Sequence, residues 1–297
     1  MTKTKVRNST SMADHGRWEI LARKVQAARI VEAFRLFRAN HIEPILIKGL
    51  AAARYYPESF VRSSIDIDLA VSKHDFKASR SLVMSVDAHG LAIDLHNELR
   101  HLDTVAWDSL FANSELIDID GHGIRVLRPE DHLRVLCVHW LLDGAHNKNR
   151  LWDVYYLLHN RPAGFDWHRF LGLVSERRRR WLVCTVGLAQ KYLGLDLTGT
   201  PLENACHDIP EWLIRSVENL WADETKELPL ENAIFDGKKL YKQALMRFRP
   251  NPIRATIEME GSFDAKMRIH YQIGNFFQRV VPSLRRIWST LRSAPPA

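Results

Sequence analysis

Apolar and polar positions change their period several times along this chain. Between Trp18 and Asn40, the residues Ile20, Val25, Ala28, Val31, Phe34, Leu36 and Phe37 recur at close to helical spacing, which predicts an amphipathic helix. Pro44–Lys48 (Pro-Ile-Leu-Ile-Lys) reads as a short buried strand ending at Gly49, and Leu50–Tyr56 as a brief helix stopped by Pro57. Ser64–Val71 alternates cleanly and predicts the clearest strand of the chain. Lys73–Ala88 returns to a helical period through Phe76, Leu82 and Val83. Gly90–Leu99 then alternates again, with Leu91, Ile93 and Leu95 on one side. A hairpin follows, from Glu115–Ile119 and Ile124–Leu127 around the Asp-Gly-His-Gly turn at Asp120–Gly123.

From Pro129 the pattern is helical throughout. Pro129-Glu130-Asp131 reads as a helix start with acids facing the positive end of the dipole. Helical spacing recurs around Trp152–Leu158, Trp181–Leu193 and Trp212–Trp221. The expected organisation is a polar leader (1–16), an α/β domain with its N-terminal helix (17–128), an all-helical domain (129–262) and a tail (263–297).

Composition narrows the class. With 46% hydrophobic and 26% charged residues over 297, the chain can bury a core and is not a low-complexity disordered protein. Cys137, Cys184 and Cys206 are far apart with no Cys-x-x-Cys pair, which excludes a disulfide framework or zinc ribbon and makes a reducing cytoplasm the default. No apolar run reaches the roughly 20 residues that cross a bilayer, and none follows the basic N-terminus as in a secretory signal. The net charge of +7 is concentrated at the end: residues 247–297 hold nine Lys/Arg against three acids. A basic segment of this kind suits weak contact with RNA or with an anionic membrane surface.

The chemistry concentrates around Asp66-Ile67-Asp68. In a strand, alternate side chains share a face, so Asp66 and Asp68 oppose Ile65, Ile67, Leu69 and Val71. Two carboxylates about 7 Å apart along one face, at the usual strand rise, suit one or two Mg²⁺ ions carrying phosphates. In Ala92–His96, Asp94 and His96 oppose Ile93 and Leu95; if that strand lies beside the first, Asp94 joins the cluster, and a cation offsets the repulsion of three acids. Asp118-Ile119-Asp120 repeats the tripeptide but runs directly into Gly121, so that copy reads as a turn. What separates the first copy is its setting: Lys48-Gly49 upstream, Arg62 four residues before, and an acid on the next strand.

These residues resemble a known family. The stretch from Leu46 to Val71, followed by Ile93-Asp94-Leu95-His96, is similar to the bacterial "uncharacterised nucleotidyltransferase" family of the DNA-polymerase-β-like superfamily. The resemblance extends through Leu127–Leu133, His139 and Leu151–Asp153, roughly residues 45 to 160. It implies an α+β fold, a minimal nucleotidyltransferase mixed sheet with flanking helices followed by an all-helical C-terminal domain. It also implies transfer of a nucleoside monophosphate from a nucleoside triphosphate to an acceptor hydroxyl, with Mg²⁺ or Mn²⁺ as cofactor. Asp66, Asp68 and Asp94 would hold the metals, with Asp94 helping to activate the acceptor. Gly49 would admit the phosphates, and Lys48 and Arg62 would neutralise them. The superfamily places Ser or Gly after its first glycine, whereas this chain has Leu50; Ser63 or Ser64 is the substitute on offer. The acceptor is expected to be a small molecule or biosynthetic intermediate. The alternatives are a toxin-like transferase acting on tRNA or protein, and a nucleotide-binding module without catalysis.

Other polar residues carry weaker expectations. His96, His139 and Asp153 are candidates for supporting the site, and Asp153 is first read as an interdomain ion-pair partner near Arg150. His132, His139 and Asp143 share a helix face, read as packed or solvated rather than as a metal set. His74-Asp75 reads as a helix cap and Glu176–Arg180 as a solvated helix face. The tail carries an apolar stripe through Ile273, Phe276, Phe277, Val280, Val281, Leu284, Ile287, Trp288 and Leu291, bordered by arginines. It is expected to dock on the helical domain, with a peripheral membrane position as the alternative.

Overall fold

The computed structural model describes residues 6–58, 60, 62, 64, 66–85, 90–222 and 250–278. The chain divides into two units, Met1–Leu136 with Asp153–Val174, and Cys137–Trp152 with Ser175–Ala297. The division falls inside a helix, past the expected boundary at Pro129, and returns Asp153–Val174 to the sheet-containing unit. The fold is α+β: a five-stranded mixed sheet with flanking helices, and a helical C-terminal region.

In the first unit, α1 (Val6–Ala39) precedes β1 (Ile45–Leu46), α2 (Leu50–Ala53), β2 (Ile67–Val71), α3 (Phe76–Val83), β3 (Ile93–Asn97), α4 (Trp107–Ala112), β4 (Glu115–Ile119) and β5 (His122–Val126). The spatial order is β3-β2-β1-β5-β4. β1 runs antiparallel to β2 and parallel to β5, β2 parallel to β3, and β4 antiparallel to β5. α1 begins well before Trp18, in the stretch expected to be a polar leader. Its buried face matches the expectation at Val31, Phe34 and Phe37 and departs from it nearer the N-terminus. Ile20 and Val25 are exposed, whereas Ile30, Ala33, Phe34 and Phe37 pack on the sheet against Ile67, Leu69, Val71, Ile124 and Val126. Alternation along β2 and β3 therefore turns Asp68, Asp94 and His96 to the opposite face.

The β4–β5 turn is tighter than expected. Asp120 (φ 50°) and Gly121 (φ 77°) are its two central residues, and the backbone N–H of Gly121 donates to Asp118 Oδ1 at 3.3 Å. Positive φ at both positions is what a two-residue hairpin of this hand requires. The second Asp-Ile-Asp thus serves its turn. Asp75 sits at the start of α3 but bonds Ser72 Oγ and His74 rather than capping the helix N–H groups.

α5 (Pro129–Leu142) opens on acids that do more than face its dipole. Asp131, fully buried, takes Arg134 at 2.5 Å and Arg169 at 2.6 Å, and Arg134 also donates to Asp103 at 2.9 Å. Glu130 accepts from Arg128 and from the backbone of Asp166. Such a network is tolerated in the interior because every charge is paired. The rest of this unit is the body of α6 (Leu151–His159) and α7 (Trp167–Gly172).

The second unit is built on α8 (Glu176–Leu193), α9 (Glu211–Ala222) and α10 (Pro252–Glu258). Three of its tryptophans, Trp181 buried and Trp212 and Trp221 half-buried, donate their indole N–H groups to carbonyls: Trp181 to Gly261 at 2.9 Å, Trp212 to Phe263 at 2.8 Å, Trp221 to Ala145 at 2.9 Å. The arginine run on α8 is not simply solvated. Arg178 is buried against Glu260, Arg180 binds Asp264 at 3.1 Å, and Arg177 reaches the Glu260 carbonyl. Residues 269–278 are helical, with Ile269, Ile273 and Phe277 exposed. The remainder of the apolar stripe, from Val280 to Leu291, lies outside the described residues. No helix among the described residues is long and apolar enough to cross a membrane.

Candidate active site

β2 and β3 pair in parallel with Asp68 opposite Asp94 and Ala70 opposite His96. On the face turned away from α1, this register gathers one ligand atom from each of Asp68, Asp94 and His96, all within 4.8 Å of one another. His96 Nε2 lies 3.3 Å from Asp94 Oδ2 and 3.6 Å from Asp68 Oδ1, yet it is buried without a hydrogen-bond partner. Two carboxylates and an imidazole nitrogen offer a mixed O/N donor set of the kind that holds a divalent cation, the oxygens suiting Mg²⁺ or Mn²⁺ and the imidazole a softer ion. Asp66 is not in this group. The strand begins at Ile67, one residue after it, and its side chain is exposed.

Lys48 is held at the same place by β1. The backbone N–H of Ile47 donates to the Asp68 carbonyl at 3.1 Å, extending the β1–β2 ladder by one residue. The Ile47 carbonyl accepts from His132 Nε2 at 3.0 Å, so α5 fixes the strand end from a buried imidazole. Burial, then the charge of Arg54, pushes His132 well below its usual range and keeps it neutral. His132 therefore supports a strand, and His139 belongs to the other unit, where its Nδ1 lies 3.4 Å from Asp143. Beyond Ile47, Lys48 Nζ reaches Asp68 Oδ1 at 2.5 Å. Burial alone would raise the Asp68 carboxyl, but His96 and Lys48 outweigh it and hold the group below the ordinary aspartate value.

Gly49 turns the chain with φ 62° and ψ −123°, a conformation that disfavours any side chain. Its carbonyl accepts from Arg62 Nη1 at 3.1 Å. Arg62 is itself clamped by Asp153, with Nε on Oδ1 at 2.6 Å and Nη2 on Oδ2 at 2.8 Å, both side chains buried. Tyr56 donates its hydroxyl to the same carboxylate at 2.6 Å. Burial, then Asp153, pushes the Tyr56 phenol up, so it remains a donor. Asp153 is thus an ion-pair partner, as expected, but of Arg62 rather than Arg150 and within one unit. Arg62, expected to meet phosphates, braces the glycine turn. Ser64 Oγ donates to the Asp66 carbonyl at 3.1 Å and sits beside Gly49; Ser63 lies outside the described residues.

The sequence reading ranked His96 below Asp66, although the alternation that selected Asp94 selects His96 equally. Tyr56 left no signal, since its partner is 97 residues away. A lysine-bridged carboxylate, a second carboxylate and an imidazole thus share one place on the sheet, with the Gly49 turn following the lysine. Residues 10–85 and 78–194 match the model of the family described as "uncharacterised nucleotidyltransferase", and the chain belongs to that family. No curated protein and no solved structure matches it.

Proposed function

We propose that this protein transfers a nucleoside monophosphate from a nucleoside triphosphate to an acceptor hydroxyl, releasing pyrophosphate, at the Asp68–Asp94–His96 cluster. The convergence of those three side chains on one sheet face, in a member of a nucleotidyltransferase family, carries the reading. Asp68, Asp94 and His96 would hold Mg²⁺ or Mn²⁺, with Asp66 at the exposed strand entrance as a further carboxylate for a second ion. The metal would supply positive charge to the phosphates and to the leaving pyrophosphate.

The residues of the chain divide the remaining work. Asp68, kept anionic and anchored by Lys48, fixes the buried side of the site. Asp94, whose side chain is 59% exposed, faces solvent, where it can take the proton of an incoming hydroxyl. The acceptor oxygen attacks the α-phosphorus, the bond to the bridging α,β-oxygen breaks, and pyrophosphate leaves. Lys48 places one cation beside these phosphates, and the Arg62-braced turn at Gly49 lets them approach the backbone. The acceptor is a hydroxyl-bearing small molecule or biosynthetic intermediate.

Mn²⁺ binding followed by electron paramagnetic resonance tests the cluster. The wild type should bind Mn²⁺ with nucleotide, and Asp68→Asn and His96→Ala should weaken it at least tenfold. Unchanged binding in both variants would remove the site from this face.

A further inference from the structure

The helix of residues 269–278 packs on its own unit with its polar side and turns its apolar side outward. Asn275 is fully buried and donates its side-chain amide to Glu258. Gln272 Nε2 donates to the Pro250 carbonyl at 3.0 Å, and the Tyr271 hydroxyl accepts from the Ser262 backbone N–H at 3.2 Å. On the other side Ile269 is 62% exposed, Ile273 51% and Phe277 61%, and their spacing of four residues puts them on one face. Met267, just before the helix, is exposed as well. Ile269, Ile273 and Phe277 line one open groove with Pro250, Pro252 and Phe276. A single exposed apolar residue is ordinary, whereas a continuous exposed stripe marks a contact.

The amino-acid sequence prolongs the stripe and gives it a charge. Val280, Leu284, Ile287 and Leu291, outside the described residues, follow Phe277 at intervals of three, four, three and four positions. From Ala265 to Ala297 the chain carries six Lys/Arg and no Asp or Glu. We propose that this face docks on an anionic membrane surface, with Ile269, Ile273 and Phe277 entering the acyl boundary and the cations of the segment meeting phospholipid headgroups. Docking there is independent of the chemistry proposed for the Asp68 cluster. Charge favours lipid over the other occupants. A second copy of the chain would set six cations against six, with no acid in either segment to meet them. RNA calls for free cations and stacking platforms on the face itself. Arg268, however, lies over the Trp212 ring at 4.4 Å and donates to the Ala265 carbonyl, and aliphatic groups dominate the exposed stripe. A stripe along one side of a helix suits lying in the interface rather than crossing it.

The test is cosedimentation of the full chain with sucrose-loaded vesicles, made either of phosphatidylglycerol and phosphatidylcholine in equal parts or of phosphatidylcholine alone. The wild type should bind the anionic vesicles about tenfold more tightly than the neutral ones, or better, and lose most of that preference in about 1 M salt. Ile269→Gln/Ile273→Gln/Phe277→Gln should weaken binding to the anionic vesicles about tenfold or more. Its melting temperature should stay within about 3 °C of the wild type, because the three side chains are already exposed and Gln is a good helix former. Arg285→Gln/Arg286→Gln should also weaken anionic binding about tenfold and leave neutral binding unchanged. A wild type that does not bind the anionic vesicles, or either variant binding them as tightly as the wild type, would overturn lipid docking. Sedimentation velocity and a single-stranded RNA oligonucleotide cover the other occupants. Self-association or RNA binding that the triple variant loses, in the absence of vesicle binding, would overturn lipid docking and assign the face to a second copy or to RNA.

Discussion

The clamp behind Gly49 offers a sharp perturbation. In Asp153→Leu, the Arg62 guanidinium loses both of its carboxylate bonds, and Tyr56 loses its acceptor. With both side chains of the pair about 5% exposed, water cannot replace them. Breaking a buried pair from one side costs about 3–5 kcal/mol, because the surviving charge is left uncompensated. The double variant Arg62→Met/Asp153→Leu removes both charges and should recover most of that loss. Amide hydrogen exchange of peptides covering β1 and β2 reads this unit directly. A loss of 3 kcal/mol corresponds to roughly 150-fold faster exchange at these strands. The double variant should return to within about tenfold of the wild type. Its transferase activity should nevertheless stay low, since nothing then braces the Gly49 carbonyl. Exchange in Asp153→Leu within about threefold of the wild type, or a double variant no better than the single, would refute the reasoning. So would full activity in the double variant.

Three further outcomes follow from the same geometry. Gly49→Ala should cost about 1–3 kcal/mol in urea denaturation, because φ 62° with ψ −123° is strained for any residue that carries a side chain. His132 is held neutral in the fold and takes up its proton readily only when unfolded, so stability should fall as pH drops below about 6.5, at up to about 1.4 kcal/mol per pH unit. Melting temperatures from pH 5 to 7 should show that slope in the wild type and a flatter one in His132→Leu. Asp68→Asn should abolish Mn²⁺-dependent nucleotide binding, while Asp66→Asn should retain part of it, because only Asp68 lies within the converged cluster.

The parts of this account that were legible in the sequence are those set by local period. Alternation through Ile67–Val71 and Ile93–Asn97 predicted both strands and the face shared by Asp68 and Asp94. The same alternation overreached at Asp66, because the strand starts one residue later and the side chain it would have aimed inward is exposed. α1 was predicted as a helix, and its predicted apolar stripe is buried at Val31, Phe34 and Phe37 but exposed at Ile20 and Val25. Val25 looked like core, whereas Gln26 holds the buried position one turn before Ile30. A polar residue in phase with Ile30, Ala33, Phe34 and Phe37 was a readable signal, visible only once the stripe is phased from its C-terminal half. Long-range pairing left no trace. Arg62 and Asp153 are 91 residues apart, and nothing in either neighbourhood announces the other. The acids opening α5 looked like dipole partners for the same reason, since Arg169 is 38 residues beyond Asp131.

The most direct test of the central claim is the fate of the α-phosphate. ATP, CTP, GTP and UTP labelled at that position would be incubated with the purified protein, Mg²⁺ or Mn²⁺, and host extract resolved into RNA, protein and small-molecule fractions, with Asp68→Asn alongside. The account predicts label moving from one nucleotide into the small-molecule fraction, with matching pyrophosphate release, and no transfer by Asp68→Asn. Label that stays on the nucleotide in every fraction, or an Asp68→Asn variant as active as the wild type, would contradict it.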